Sequence, residues 1–136
     1  MVVRYLLDTN SVSYIIKGTF PPVRERLLKV PMAEVGISAV TEAEMRFGVA
    51  RRPEAMMLRR VVEEFLVRVE TLPWNSEAAQ HYAHIRAILE REGEPKGSLD
   101  LMIAAHAVAA GAVLVTSDRV FRRVRGLKVE DWTRPS

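Results

Sequence analysis

The chain contains no cysteine, which excludes a disulfide framework, a thiolate nucleophile, an iron–sulfur cluster and any cysteine-based zinc site. Long apolar runs are also missing. The longest, Leu101 to Val115, carries His106 and is broken by Gly111, so it falls short of the roughly 18–20 apolar residues that cross a bilayer. The opening apolar stretch meets Asp8 too soon to serve as the core of a signal peptide. A cytoplasmic protein without a membrane segment is expected. Neither Gly-x-x-x-x-Gly-Lys nor Gly-x-Gly-x-x-Gly occurs, which removes the commonest nucleotide-binding loops. Internal repeats, low-complexity tracts and linker-like segments are absent as well.

What remains is a chain of 136 residues, 49% hydrophobic and 27% charged, the size and composition of one globular domain spanning 1–136. Twenty Lys and Arg against 17 Asp and Glu leave a net charge of only +3, too small an excess to establish nucleic-acid binding by itself. Arg51-Arg52, Arg59-Arg60 and the run Arg119, Arg122, Arg123, Arg125 are local basic clusters; each suits a solvated face or a phosphate track. The acids are more informative. Only four of the 17 are aspartates, so their positions become the question.

Val2 to Leu7 is a β-branched-rich run that stops at Asp8-Thr9-Asn10-Ser11, the pattern of a buried strand running into a capped helix. That helix ends at Gly18, and Pro21-Pro22 opens another through Leu27-Leu28. Glu34 to Ser38 reads as a second strand feeding a helix from about Ala39 to Ala50. From Pro53, Leu58, Val61, Val62, Phe65, Leu66 and Val69 recur at three- and four-residue spacing, as in an amphipathic helix. Val67 to Leu72 is ambiguous between helix and strand until Pro73 ends it. Asn75 caps a helix striped by Ala78, Tyr82, Ile85 and Leu89; Gly93 to Gly97 forms a loop; and Ser98 caps a helix that Gly111 terminates. Ala112 to Thr116 and Leu127 to Glu130 complete the strands, the latter at an edge. Alternating strands and helices predict an α/β domain with a largely parallel sheet covered on both faces. Such sheets bind ligands at the carboxyl ends of their strands.

Asp8 and Asp118 fall just beyond two of those strand ends. Each alone reads equally well as a cap or turn residue. Asp100 shares a helical stripe with Ile103, Ala104 and Ala107, which is expected to point it toward the sheet rather than to water. Glu44 stands either at that rim or as the last member of a capping box, Thr41-Glu42-Ala43-Glu44, reaching back to the Thr41 backbone. Jointly the four acids map to one rim. Like charges gather at a cost unless a cation neutralises them or one stays protonated. A hard divalent ion, Mg2+ or Mn2+, is therefore the expected occupant. The corresponding chemistry is hydrolysis of a phosphodiester, with the ion polarising an oxygen and activating water.

Four stretches also resemble, in order, the motifs of PIN-domain ribonucleases: Leu6-Leu7-Asp8-Thr9-Asn10; Ile37 through Gly48 with Glu44 inside it; Leu99-Asp100-Leu101-Met102-Ile103-Ala104-Ala105-His106-Ala107; and Leu114-Val115-Thr116-Ser117-Asp118. The similarity is greatest to the VapC toxins of toxin–antitoxin systems and covers essentially the whole chain, including Leu72-Pro73-Trp74 and Glu130-Asp131-Trp132. It implies a three-layer α/β/α fold with a central, mostly parallel sheet of four to five strands. It implies also an Mg2+- or Mn2+-dependent endoribonuclease acting as a dimeric toxin, restrained by a cognate VapB-type antitoxin through which any contact with DNA would be indirect. Carried over motif by motif, Asp8, Glu44, Asp100 and Asp118 form the acidic quartet. Asp8 and Asp100 are the direct ligands, while Glu44 and Asp118 close the site or act through water. Only Arg119-Val120 separates Asp118 from Phe121, so no fifth acid is assigned.

Thr9, Asn10, Thr116 and Ser117 flank the acids and would hydrogen-bond them or a bound water; helix capping explains Thr9 and Asn10 equally well. Arg46 suits either a phosphate or a neighbouring carboxylate. His81 and His84 lack the further ligands of a zinc site, His106 suits packing or hydrogen bonding, and Trp74 and Trp132 suit the core. Two rival readings stand: a catalytically silent PIN-like domain that binds RNA or protein, for which loss of an acid would be the signature, and a nuclease directed at DNA. All four acids are present.

Overall fold

The computed structural model describes residues 2–94 and 96–135. Five strands, β1 (Tyr5–Leu7), β2 (Val35–Ser38), β3 (Glu70–Leu72), β4 (Val113–Val115) and β5 (Lys128–Glu130), form one sheet in the order β3-β2-β1-β4-β5. Every pairing is parallel, with Leu6 opposite Leu114 and Leu7 opposite Val115. Six α-helices cover it: α1 (Thr9–Lys17), α2 (Pro21–Leu28), α3 (Ala39–Ala50), α4 (Met56–Arg68), α5 (Ser76–Arg91) and α6 (Ser98–Ala110). This is the expected α/β/α arrangement, at the upper end of the expected strand count.

Alternation along the strands builds two cores. Leu6 and Leu114 face α5 and α6, where they meet Ile85, Leu89, Leu101 and Phe121. Leu7 and Val115 face the other way, onto Val12, Ile15, Val62, Phe65 and Trp132. Gly36 in β2 is the closest approach within the sheet. A Cβ there would lie 2.9 Å from both Val3 methyls and 3.0 Å from the Glu70 carbonyl oxygen, so the strand takes glycine because nothing larger fits. No helix among the described residues is long and apolar enough to cross a membrane.

Local signals place most boundaries. Asn75 caps α5 by accepting from the Ala78 amide, and Gly111 ends α6 at φ 65°, a left-handed conformation that glycine adopts without a Cβ penalty. Three expectations need correction. The periodic segment after Pro53 becomes helical only at Met56, and the ambiguous stretch divides at Val69 into the end of α4 and β3. Ser98 is the first residue of α6 rather than its cap; Gly97 holds that place with no side-chain bond. The Thr41 capping box does not form, because Ser38 already caps α3 through the Val40 amide and puts Thr41 inside the helix.

The chain runs from β1 outward to β3 on one side and then crosses back to place β4 and β5 on the other. The sheet therefore switches direction between β1 and β4, and the crevice beyond their carboxyl ends is where open parallel sheets bind ligands. Asp8 follows β1, and Thr116 and Asp118 follow β4.

Candidate active site

Asp8 is held from both sides of that crevice. Its amide donates to the Val115 carbonyl at 3.1 Å, and its Oδ1 accepts from the Ser11 amide at 2.7 Å, which makes it the cap of α1. Ser11 Oγ donates to the same Val115 carbonyl at 3.0 Å, fastening the start of α1 to β4. Capping does not exhaust a carboxylate, which has about four lone-pair acceptor sites, so Asp8 can accept more than the bonds from Ser11 and Thr116. Burial raises the Asp8 carboxyl above its ordinary 3.8, and the charge of Asp100 raises it further, while hydrogen bonds from Ser11 and Thr116 act in the opposite direction. An acid pushed up by desolvation and a second carboxylate, in a cleft, is a candidate functional group.

Asp100 itself is exposed, contrary to the expectation that it points at the sheet. The stripe it shares with Ile103 and Ala104 is real, for both of those are buried. Burial, however, begins only at Leu101; Ser98, Leu99 and Asp100 form a first turn that stands clear of it, so the inward stripe opens there onto solvent. Glu44 sits mid-helix in α3, and its Oε1 accepts from Thr9 Oγ1 at 2.5 Å. Thr9 also reaches Thr41 Oγ1 at 3.3 Å. Thr9 is thus a link between the residue next to Asp8 and Glu44, rather than a cap. Asp118 caps the short 3₁₀ helix Arg119–Arg123, its Oδ1 accepting from the Val120 amide at 3.0 Å, and its own amide donates to Thr116 Oγ1 at 3.1 Å. Its Oδ2 pairs with Lys96 Nζ.

The four acids are therefore joined as a chain of contacts around the crevice: Glu44 through Thr9 toward Asp8, Asp8 with Asp100 through charge, and Asp118 with Asp8 through Thr116. They do not form a closed cage. Among the described residues no three His, Asp or Glu side chains are gathered closely enough to hold an ion. All donors at the crevice are oxygens, and Asp8 with Asp100 supplies two carboxylates that repel one another, a donor set suited to Mg2+ or Mn2+.

The remaining candidates separate clearly. Asn10 and Ser117 are exposed, and neither side chain hydrogen-bonds to the acids among the described residues. Arg46 is exposed and paired with Glu42 at 2.8 Å, the carboxylate option of the two considered. Trp132 is buried, and Trp74 is partly buried with its Nε1 donating to the Met102 carbonyl. Ser11 and Ser38 read from the sequence as capping or strand-end residues and here support the site, whereas Lys96 carries no sequence reading. Lys96 had one available signal, a base four residues before the acid of α6 in a glycine-bounded loop.

His106 is buried in α6 with Nδ1 2.7 Å from Ser38 Oγ, so it ties the helix bearing Asp100 to the start of the helix bearing Glu44. Burial lowers its pKa below 6.5. Its neutral form is then favoured in the fold, so the stability it lends is present above pH 6.5 and is lost as pH falls through the lowered value. His106→Asn, whose amide reaches the Nδ1 position without titrating, should show a flatter loss of stability below that pH. The difference is bounded at about 1.4 kcal/mol per pH unit and would be read from urea denaturation at stepped pH. Identical pH profiles would refute the assignment.

Beside the crevice, a groove of about 860 Å³ runs between α1, α3 and α4. Thr9 and Glu44 line it together with Lys17, Arg51 and Arg52, and Met45, Phe47, Leu58 and Leu99 supply apolar wall. Phe47 is 63% exposed, an uncovered aromatic on the groove's rim.

Comparison with known proteins agrees with this geometry. The PIN domain model matches residues 5–127. The tRNA(fMet)-specific endonuclease VapC of Shigella flexneri is 38% identical over 133 residues, 97% of this chain and 100% of that protein. Ribonuclease VapC2 of Haemophilus influenzae (strain ATCC 51907 / DSM 11121 / KW20 / Rd) is 33% identical, covering 96% and 99%. Among solved structures, DNA-bound VapBC from Salmonella typhimurium superposes with a TM-score of 0.87 at 37% identity, covering 96% of this chain and 99% of that one. The chain belongs to the PIN-domain family and, within it, to the VapC proteins.

Proposed function

We propose that this protein is a metal-dependent endoribonuclease, the toxin of a toxin–antitoxin pair, which hydrolyses RNA phosphodiester bonds at Asp8, Glu44, Asp100 and Asp118. The observation that carries the reading is Asp8: a desolvated carboxylate, raised by burial and by Asp100, at the switch point of a parallel sheet. Asp8 and Asp100 would hold Mg2+ or Mn2+, with Glu44 and Asp118 closing the site. When bound, such an ion supplies Lewis acidity and charge neutralisation at a phosphodiester. The chain's own groups do the rest. The Ser11 amide and Thr116 fix the Asp8 carboxylate. Thr9 holds the Glu44 carboxylate in one orientation, and the His106–Ser38 bond keeps α6 and α3 in register behind the acids.

Two relatives carry names specifying cleavage of tRNA(fMet), which makes initiator transfer RNA the first substrate to try. Solved relatives are VapBC complexes, and we assign the apolar groove beside Glu44 to a VapB-type antitoxin, with a homodimer as the working assembly. The test is cleavage of folded RNA, with initiator transfer RNA included, in Mg2+, Mn2+ or EDTA, beside Asp100→Asn. Discrete metal-dependent fragments that fall by about 10²–10³-fold in the variant are expected. A fully active Asp100→Asn protein would overturn the site.

A further inference from the structure

Both carboxylate oxygens of Asp118 are engaged. Oδ1 accepts from the Val120 amide at 3.0 Å, and Oδ2 pairs with the ammonium of Lys96. The backbone of Asp118 is bound too, through Thr116 Oγ1. Its position is therefore determined by three contacts, none of which involves another acid. Lys96 is in the opposite situation. An ammonium has three N–H donors, and among the described residues Asp118 is its one ion-pair partner. Its Nζ lies 5.9 Å from the ring centroid of the buried Phe121, and the side chain as a whole is 24% exposed. The charges of Asp100 and Glu94 act on it as well. A partly exposed lysine whose ammonium is held by Asp118 and lies over Phe121, with N–H donors to spare and within the field of the exposed Asp100, is a fixed positive charge at the edge of the crevice.

We propose that Lys96 is a phosphate-contact residue for the RNA substrate and that Asp118 is the positioning residue that holds it, not a ligand of the metal ion. This rests on the ribonuclease reading above and alters the role of one of its four acids. The physical distinction is one of sign. A carboxylate that only adds negative charge to the site weakens RNA binding, so removing it strengthens binding. A carboxylate that holds the contacting ammonium has the reverse effect, because its loss frees a flexible side chain that must then be ordered again by the substrate.

Two measurements on the whole chain test this. In Mn2+ titration calorimetry, Asp100→Asn should weaken binding by at least about 10-fold, whereas Asp118→Asn should leave it little changed. In EDTA, with Asp8→Asn as the common background, binding of bulk transfer RNA is measured across a salt series. Lys96→Met and Asp118→Asn should each weaken it by about 5–10-fold. Lys96→Met should also flatten the log–log salt dependence by about 0.7–0.9, the loss of one phosphate contact. The double variant should bind no more weakly than Lys96→Met alone, and Lys96→Arg should retain binding. The inference is overturned if Asp118→Asn loses Mn2+ as Asp100→Asn does, if Asp118→Asn tightens RNA binding, or if Lys96→Met leaves the salt slope unchanged. Failure of the underlying reading looks different: the unsubstituted chain would then bind no Mn2+, Asp100→Asn would change nothing, and the inference would fall with it.

Discussion

Replacing Asp8 with Asn is expected to reduce RNA cleavage by at least about 100-fold while raising the melting temperature of the metal-free chain near neutral pH. The two effects have one cause. Above its raised pKa the Asp8 carboxylate carries its charge in a desolvated place with the charge of Asp100 nearby, and both conditions oppose ionisation. Asparagine keeps the size of the side chain and an oxygen for the Ser11 amide, so α1 stays capped. What it removes is the charge, which is a liability without a cation and the source of affinity with one.

The pH dependence follows with a definite sign. The folded carboxyl lies above the ordinary 3.8, so the folded chain binds this proton more tightly than the unfolded one. The resulting stabilisation is fully present below pH 3.8 and is lost as pH rises through the folded value. Asp8→Asn should thus melt above the parent at neutral pH in EDTA, and the gap should close as pH falls toward the ordinary carboxylate range. Saturating Mn2+ should narrow it too, by stabilising only the parent. Calorimetric melts at stepped pH, with and without Mn2+, would read all of this. A variant that melts below the parent at neutral pH would sink the desolvation argument, and one that cleaves normally would sink the site.

Trp132→Ala should cost about 3–5 kcal/mol, the largest stability loss of any single truncation considered. Trp132 is 1% exposed although it lies only a few residues from the end of the sequence. Its indole Nε1 donates to Glu130 Oε1 at 2.9 Å, its ring is tilted at 58° to Tyr5 with centroids 5.5 Å apart, and the Arg26 guanidinium lies 5.8 Å from its centroid. Arg26 in turn pairs with Glu130 at 3.0 Å. One side chain thus joins the edge strand β5, the central strand β1 and helix α2. Truncation leaves a cavity that rigid strands do not fill and a Glu130 oxygen without its indole donor. Thermal melting should fall by roughly 10–20 °C, with cleavage per folded molecule retained, since Trp132 does not touch the acids. Trp132→Phe should recover most of the packing but not the Glu130 bond. A Trp132→Ala protein within error of the parent would mean that this contact network carries little of the stability.

Much of the fold was legible from local sequence. β1 stopping at Asp8, α2 opening at Pro21-Pro22, Asn75 as a cap and Gly111 as a terminator are all signals read within a few residues, and each marks its element. Boundaries were missed where two local signals compete. At Val67 to Leu72 the helical stripe and a β-prone run overlap, and the division at Val69 comes from pairing with β2, a contact distant in sequence. The 3₁₀ helix at Arg119–Arg123 has no periodic apolar signal of its own; Asp118 reads as a cap or turn residue, but nothing after it marks a helix.

The order of strands and helices, and the placing of Asp8 and Asp118 after strands and of Asp100 in the first turn of a helix, follow from local sequence, because apolar periodicity and capping act over one or two turns of chain. What those acids meet depends on long-range packing. The sheet order β3-β2-β1-β4-β5 set Asp8 against Val115 and Thr116. Packing of α1 against α3 gave Glu44 a partner 35 residues away in Thr9 in place of its own helix start. The same packing logic gave His106 a partner 68 residues away in Ser38 and turned Asp118 to Lys96. Each of these is a choice among polar partners of similar chemistry, and such choices depend on which surfaces the hydrophobic cores bring together, not on spacing along the chain. Asp100 is the clearest case: its helical stripe was read correctly, but its exposure depends on how far α6 extends past the buried region, a length that only the packed helix defines.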